Sequence, residues 1–174
     1  RAIDFVLNRE RFSAFAFTRD DLRTYFQRLV AFRAHWAYGY VSMLVQFASF
    51  CLEEDLPLAD LGLRSVVTTS EVLGDSDRAL LVRAFGAPVY DEYGLTEVGG
   101  RVATECSAHA GFHVYAADYV VEAVDAGGLP VPDGEEGELV VTSLFSRTVP
   151  IVRYRTGDRG VLSSERCRCG AVSP

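Results

Sequence analysis

Lysine is absent from this chain of 174 residues, and all 17 basic side chains are arginine. Chemistry that needs a lysine amine, as catalyst or as phosphate clamp, is therefore not completed by this chain alone. Positive charge is scarce as well. With 24 acidic side chains the formal net charge is −7, which argues against nucleic acid or an anionic membrane as partner, since both select clustered cations. No apolar run is long enough to span a bilayer: the strongest, Tyr38–Leu52, is interrupted by Gly39, Ser42 and Gln46. Arg1–Thr18 mixes charges through its apolar positions, unlike a secretory leader. Internal repeats and low-complexity tracts are also missing. Cysteine is limited to Cys51, Cys106, Cys167 and Cys169; an even number could mean disulfides, but the chain is neither small nor otherwise secretory in character. A soluble cytoplasmic protein is the expectation.

What is present suffices for a core, since 49% of the residues are hydrophobic and the length is that of about one domain. Phe12–Phe17 reads as strand-like. Thr18-Arg19-Asp20-Asp21 reads as a capping box with Asp in place of the usual Glu. The helix it opens carries Leu22, Tyr25, Phe26, Leu29 and Val30 on one face. The pattern breaks at Arg33–Gly39. A second helix, from near Ser42, is apolar nearly all round (Leu44, Val45, Phe47, Ala48, Cys51, Leu52) and ends at Asp55–Pro57. Leu63–Thr69 is a β-branched strand. Asp75 can cap a helix that runs to Phe85 and stops at Gly86, and Pro88–Tyr90 is the next strand. This alternation implies a parallel α/β sheet over residues 1–100.

Residues 101–174 differ in character. His113–Tyr115, Tyr119–Val124, Glu138–Leu144 and Pro150–Tyr154 read as strands without helices between them. Asp125-Ala126-Gly127-Gly128 and Pro132-Asp133-Gly134 supply turn chemistry. The expected fold is α/β followed by a mainly antiparallel β subdomain, a small barrel or a sheet packed on the first half.

The most informative stretch is Val89-Tyr90-Asp91-Glu92-Tyr93-Gly94-Leu95-Thr96-Glu97-Val98-Gly99-Gly100. A short strand breaks at a glycine and is followed by a hydroxyl, a carboxylate and a glycine pair. Strand ends in open α/β sheets are common ligand positions, and these groups suit a nucleotide or a metal–phosphate. Taken alone, Tyr93-Gly94 also fits a strand-ending turn, Thr96-Glu97 a helix start, and Asp158 an ordinary turn aspartate.

Tyr93-Gly94-Leu95-Thr96-Glu97 together with Arg153-Tyr154-Arg155-Thr156-Gly157-Asp158 resembles the paired signatures of the adenylate-forming superfamily. Val66-Val67-Thr68-Thr69-Ser70-Glu71-Val72-Leu73 resembles its adenine-side loop. Thr96–Gly100, Glu105-Cys106, Phe112-His113-Val114 and Cys167-Arg168-Cys169-Gly170 resemble the branch of phenylacetate–CoA ligases, coenzyme F390 synthetases and CapK proteins. The resemblance covers nearly the whole chain. It implies part of the large N-terminal domain of an enzyme that joins a carboxylic acid to the α-phosphate of ATP and then to a thiol, of CoA or of a carrier protein. It further implies that Ser70, Glu71, Asp91, Tyr93, Gly94, Thr96 and Asp158 face the nucleotide. In that set Tyr93 stacks on adenine and Asp158 accepts the ribose hydroxyls. Thr96 and Glu97 are the implied catalytic pair, with Thr96 on a phosphate oxygen and Glu97 on Mg²⁺, a hard cation suited to carboxylate and phosphate oxygens. Arg153 and Arg155 orient phosphate or, as alternating strand arginines more often do, pair with carboxylates. Tyr38, Gly39, Tyr40 and Ser42 occupy a position resembling the acyl-pocket segment.

Cys106, His109, His113, Cys167 and Cys169 form a second constellation. Three thiols and one imidazole make a closed tetrahedral zinc set, although Cys-x-Cys is tighter than the usual spacing and reduced, unligated thiols fit it too. The resemblance favours His113 as the fourth ligand; His109 competes. Cys51 reads as core, and His35 has no evident partner.

A Ser/Thr/Gly-rich phosphate loop, a hinge and a lysine-bearing C-terminal domain belong to the full family enzyme and do not occur in these residues. Two expectations follow. One is the ATP- and acid-binding portion of an acyl-adenylating ligase that cannot run the full reaction alone, its missing parts supplied from outside this chain. The other is a non-catalytic, zinc-stabilised binding or scaffold protein derived from that fold.

Overall fold

The computed structural model describes residue 4, residues 6–15 and residues 17–171. They fall into two compact units, Arg1–Asp91 and Glu92–Pro174. Among the described residues no helix is long and apolar enough to cross a membrane.

In the first unit, helix α1 spans Arg19–Phe32 and opens on the expected capping box. Thr18 Oγ1 accepts from Asp21 N at 3.2 Å, and Thr18 N donates to Asp21 Oδ2 at 2.7 Å. Two backbone donors that the first turn leaves unpaired are thereby satisfied. Strand β1 (Trp36–Tyr40) leads directly into helix α2 (Val41–Glu53), and strand β2 (Ser65–Thr69) pairs with β1 in parallel, Trp36 opposite Ser65. A parallel pair needs a crossover of this length, and α2 supplies it. Helix α3 (Asp75–Phe85) ends at Gly86 in the left-handed conformation, φ 61°. Strand β3 (Val89–Leu95) begins beside β2, where Val66 N donates to Pro88 O at 2.9 Å. Leu22, Tyr25, Leu29, Leu44, Phe47, Phe50, Val66, Leu81, Phe85 and Val89 are buried together in one core.

In the second unit the far half of β3 forms a hairpin with β4 (Gly100–Glu105), and β4 pairs antiparallel with β5 (Phe112–Val114). Strands β6 (Tyr119–Val124), β7 (Glu136–Ser143) and β8 (Tyr154–Val161) form a three-stranded antiparallel sheet. Val98, Val102, Tyr119 and Val141 are buried together in this unit. The α/β-then-antiparallel architecture expected from the sequence is present.

Several local expectations are corrected. Among its described residues Phe12–Phe17 is not a strand; residue 16 lies outside them. Phe12 instead packs its ring 4.7 Å from that of Tyr25, so its apolar character serves the core. The supposed break at Arg33–Gly39 contains strand β1, whose order depends on pairing with β2. Asp75 is the first helical residue of α3 and not its cap, which is Gly74. Gly94 does not end β3: the strand continues to Leu95 past a bulge. Strand β4 was not expected at all. Pro150–Arg153 lies outside any strand, and the last strand starts at Tyr154.

Candidate functional site

The β3–β4 hairpin carries the first signature. A turn at Thr96–Gly99 closes it, with Gly99 N donating to Thr96 O at 3.2 Å. Val98 is 1% exposed and pins the turn to the core, while Thr96 and Glu97 stand out in solvent. The local fold therefore presents a hydroxyl and a carboxylate side by side on an anchored loop. Between Tyr93 and Gly94 the pairing skips Val102 on β4, a one-residue bulge. Close approach requires Gly94 there: a Cβ on it would lie 2.9 Å from Gly100 O.

The second signature lies on β8, and its pairing with β7 explains its shape. Glu138 opposes Arg159, yet Val140 opposes Arg155, so two steps on β7 face four on β8. The excess is absorbed at Thr156-Gly157-Asp158, where Gly157 adopts φ 80°, a region that favours glycine. Thr156 Oγ1 donates to Leu139 O at 2.9 Å and accepts from Asp158 N at 3.0 Å, which fixes the bulge. Asp158, exposed, is thereby turned toward Tyr93.

The two signatures meet. Tyr93 Oη donates to Asp158 Oδ2 at 2.7 Å, across 65 residues of sequence. Burial pushes the Tyr93 phenol up to about 12; the Thr156 hydroxyl acts the other way, and the Asp158 carboxylate adds to the rise. Tyr93 thus stays protonated and can donate at every physiological pH. The flanking arginines are committed elsewhere. Arg155 forks onto Glu138, and Arg153 reaches Glu122 Oε2 at 3.2 Å and Gly128 O at 2.9 Å, so the carboxylate-pairing alternative describes both.

Cys106, His113, Cys167 and Cys169 also come together in this unit, their ligating atoms all within 4.8 Å of one another. Cys106 follows β4, His113 sits in β5 opposite Thr104, and the two remaining thiols lie in the turn after β8. Cys106 and Cys167 Sγ are 3.6 Å apart, and Cys169 Sγ is 3.4 Å from His113 Nε2. Ligand atoms about 2.0–2.3 Å from a tetrahedral zinc ion stand apart by such distances, so the set fits the metal. The N–H groups of Ala108 and Ala171 donate to Cys106 and Cys169 Sγ, each at 3.4 Å. The Cys169 N–H and thiol hold the Cys167 thiol below its usual range. Cys169 goes up: burial and the sulfurs of Cys167 and Cys106 outweigh the Ala171 N–H. His109 is not one of that set; its Nδ1 lies 3.3 Å from Glu105 Oε2. Cys51 is fully buried in the first unit, and burial pushes its thiol up to about 12.

The remaining sequence candidates belong to the first unit. Ser70 is exposed just after β2 with φ 65°. Glu71 accepts from Ser42 N at 2.6 Å and Ser42 Oγ at 2.8 Å, which places a carboxylate at the N-terminus of α2, where the helix dipole favours it. Asp91 is buried and accepts from Thr68 Oγ1 at 2.6 Å. Tyr38, Gly39 and Tyr40 form most of β1. Two residues of interest escaped sequence reasoning, Thr156 and Glu92. Thr156 is signalled only by the bulge. Glu92 could have been found as a carboxylate inside a buried strand.

Residues 12–145 match the family described as AMP-binding enzyme. The chain belongs to that family. A phenylacetate–coenzyme A ligase of Thermus thermophilus is 34% identical over 114 residues, 64% of this chain and 26% of that protein. Protein CapK of Staphylococcus aureus is 26% identical over 159 residues, 91% of this chain and 33% of its own length. Among solved structures, a 2-hydroxyisobutyryl-CoA ligase in complex with 2-HIB-AMP and CoA superposes with a TM-score of 0.82. It is 24% identical, over 94% of this chain and 36% of that one, and shows the shared fold. This AMP-binding family member thus spans about a quarter to a third of these relatives.

Proposed function

We infer that this chain carries the adenylate-binding portion of an acyl-adenylating enzyme, an aryl- or acyl-CoA ligase. In that reaction a carboxylate oxygen of the acid bonds to the α-phosphorus of ATP and pyrophosphate leaves. A thiol, of CoA or of a carrier protein, then takes the acyl group and AMP leaves. The observation that carries the reading is the 2.7 Å bond between Tyr93 and Asp158, because it brings an aromatic face and a ribose-type acceptor together from two distant signatures. Tyr93 offers its ring to adenine. Asp158 receives the ribose hydroxyls on the lone pairs that Tyr93 leaves free. Thr96 donates to a phosphate oxygen. Glu97, exposed beside it, would hold Mg²⁺ jointly with the phosphates, and the ion would neutralise their charge. Cys106, His113, Cys167 and Cys169 would hold a structural zinc that ties the β4–β5 connection to the segment after β8. Thiolate ligation suits a reducing compartment, which agrees with the cytoplasm. The relatives named phenylacetate–coenzyme A ligase support an aryl acid and CoA.

Calorimetric titration with AMP tests the reading. The wild-type chain should bind saturably, and Asp158→Ala should weaken binding about tenfold or more, as loss of charge-assisted hydrogen bonds does. Absence of binding, or binding indifferent to Asp158, overturns it. Carboxylate-dependent pyrophosphate exchange should be undetectable with the chain alone; its detection would overturn the view that groups outside the chain complete the catalyst.

A further inference from the structure

Glu92 is a buried carboxylate to which nothing above gives a task. Its side chain is 2% exposed, in β3 one residue before Tyr93. Glu92 Oε1 lies 3.3 Å from Arg101 Nη1, whereas the buried Oε2 has no hydrogen-bond partner among the described residues. Arg101 is a weak counterweight, since 66% of its side chain is in solvent and its charge is screened there. Taking a carboxylate out of water with one oxygen unbonded is costly, and folded proteins seldom retain such a group without a use.

The position of Glu92 suggests that use. Neighbouring residues of a strand project to opposite faces, so Glu92 leaves β3 on the side away from the Tyr93 ring. It precedes Thr96 by four residues, at most about 14 Å of chain. In an acyl-adenylate the acid is bonded directly to the α-phosphate. If Thr96 holds that phosphate, a glutamate side chain and an acid of aryl size together close the remaining gap.

We propose that Glu92 selects the acid: Oε2 accepts a hydrogen bond from an amino or hydroxyl group carried by the substrate at a distance from its carboxyl. The substrate class is then a donor-bearing acid and not a plain hydrocarbon one. Arg101 lies against Oε1 and keeps the carboxylate aimed. This rests on the adenylate-binding reading above.

The test is calorimetry on the chain with AMP and with non-hydrolysable phenylacetyl sulfamoyl-adenosines bearing a ring methyl, hydroxyl or amino group, in meta and para isomers. At least one donor-bearing probe should bind about tenfold or more tighter than its methyl isostere, the usual scale for a hydrogen bond to a charged acceptor. A preferred amino probe assigns an amino acid substrate, and a preferred hydroxyl probe a hydroxy acid. Glu92→Leu should abolish the preference while AMP binding persists, and Glu92→Gln, which keeps an acceptor oxygen, should retain part of it. AMP binding by the wild type without any donor preference, or without binding of any acyl probe, overturns the proposal alone. Failure to bind AMP overturns the underlying reading as well. A preference that survives in Glu92→Leu also sinks it. The wild-type comparison decides even if neither variant folds.

Discussion

Removing one oxygen from Tyr93 tests whether the contact between the signatures is structural, functional or both. Tyr93→Phe keeps the ring and deletes the donor to Asp158 Oδ2. A hydrogen bond to a charged acceptor contributes about 1.5–3 kcal/mol when sheltered, but Asp158 is exposed and water replaces much of the loss, so about 1 kcal/mol or less is expected. For AMP that is about a threefold to fivefold weaker affinity, arising from an Asp158 no longer held in place. The phenol itself provides an independent readout. Its pKa is raised to about 12, first by burial, whereas an unfolded tyrosine ionises near 10. A raised pKa stabilises the fold fully below the unfolded value, and that contribution fades as pH climbs from about 10 through about 12. Tyrosinate absorbance titration, taken as wild type minus Tyr93→Phe, should isolate one late-ionising phenol. Tyr119, also raised by burial, remains in both proteins and cancels. Asp158→Asn should lower the Tyr93 value only in part, because burial is the larger cause. The reasoning fails if the late phenol persists in Tyr93→Phe, or if that variant binds AMP as tightly as the wild type.

Two further outcomes are expected. Gently purified protein should carry one zinc ion per chain by elemental analysis. Cys167→Ser should weaken zinc binding about a hundredfold or more, since one of four ligands goes, and a chelator should lower the melting temperature of the wild type; metal-free protein would refute the site. Gly94→Ala should destabilise by about 1–3 kcal/mol, because its Cβ would meet the Gly100 carbonyl, a backbone atom that cannot swing aside. An unchanged thermal midpoint would show that the hairpin yields more readily than its geometry implies.

The elements legible in the sequence are those set by neighbours along the chain. The Thr18–Asp21 capping box and the Gly86 stop depend on contacts within a few residues, and they stand where the sequence puts them. Residue chemistry was legible too: three thiols with an imidazole, and a tyrosine, a threonine and two acids in signature spacing. Strands β1 and β4 were not legible, because Trp36–Tyr40 and Gly100–Glu105 each carry a glycine and become strands only through partners elsewhere. Which histidine joins the thiols was decided by register, since pairing of Thr104 with His113 sets that imidazole beside Cys169 while His109 turns to Glu105. The bulge inside Tyr154–Val161 is where Asp158 is aimed at Tyr93. Burial of Glu92 without a partner for Oε2 belongs to the same class. Sequence by itself determined the chemical groups and the local elements, because those follow from covalent identity and short-range propensity. Tertiary structure decided register, bulges and the desolvation of single charges, which arise only when distant segments pack.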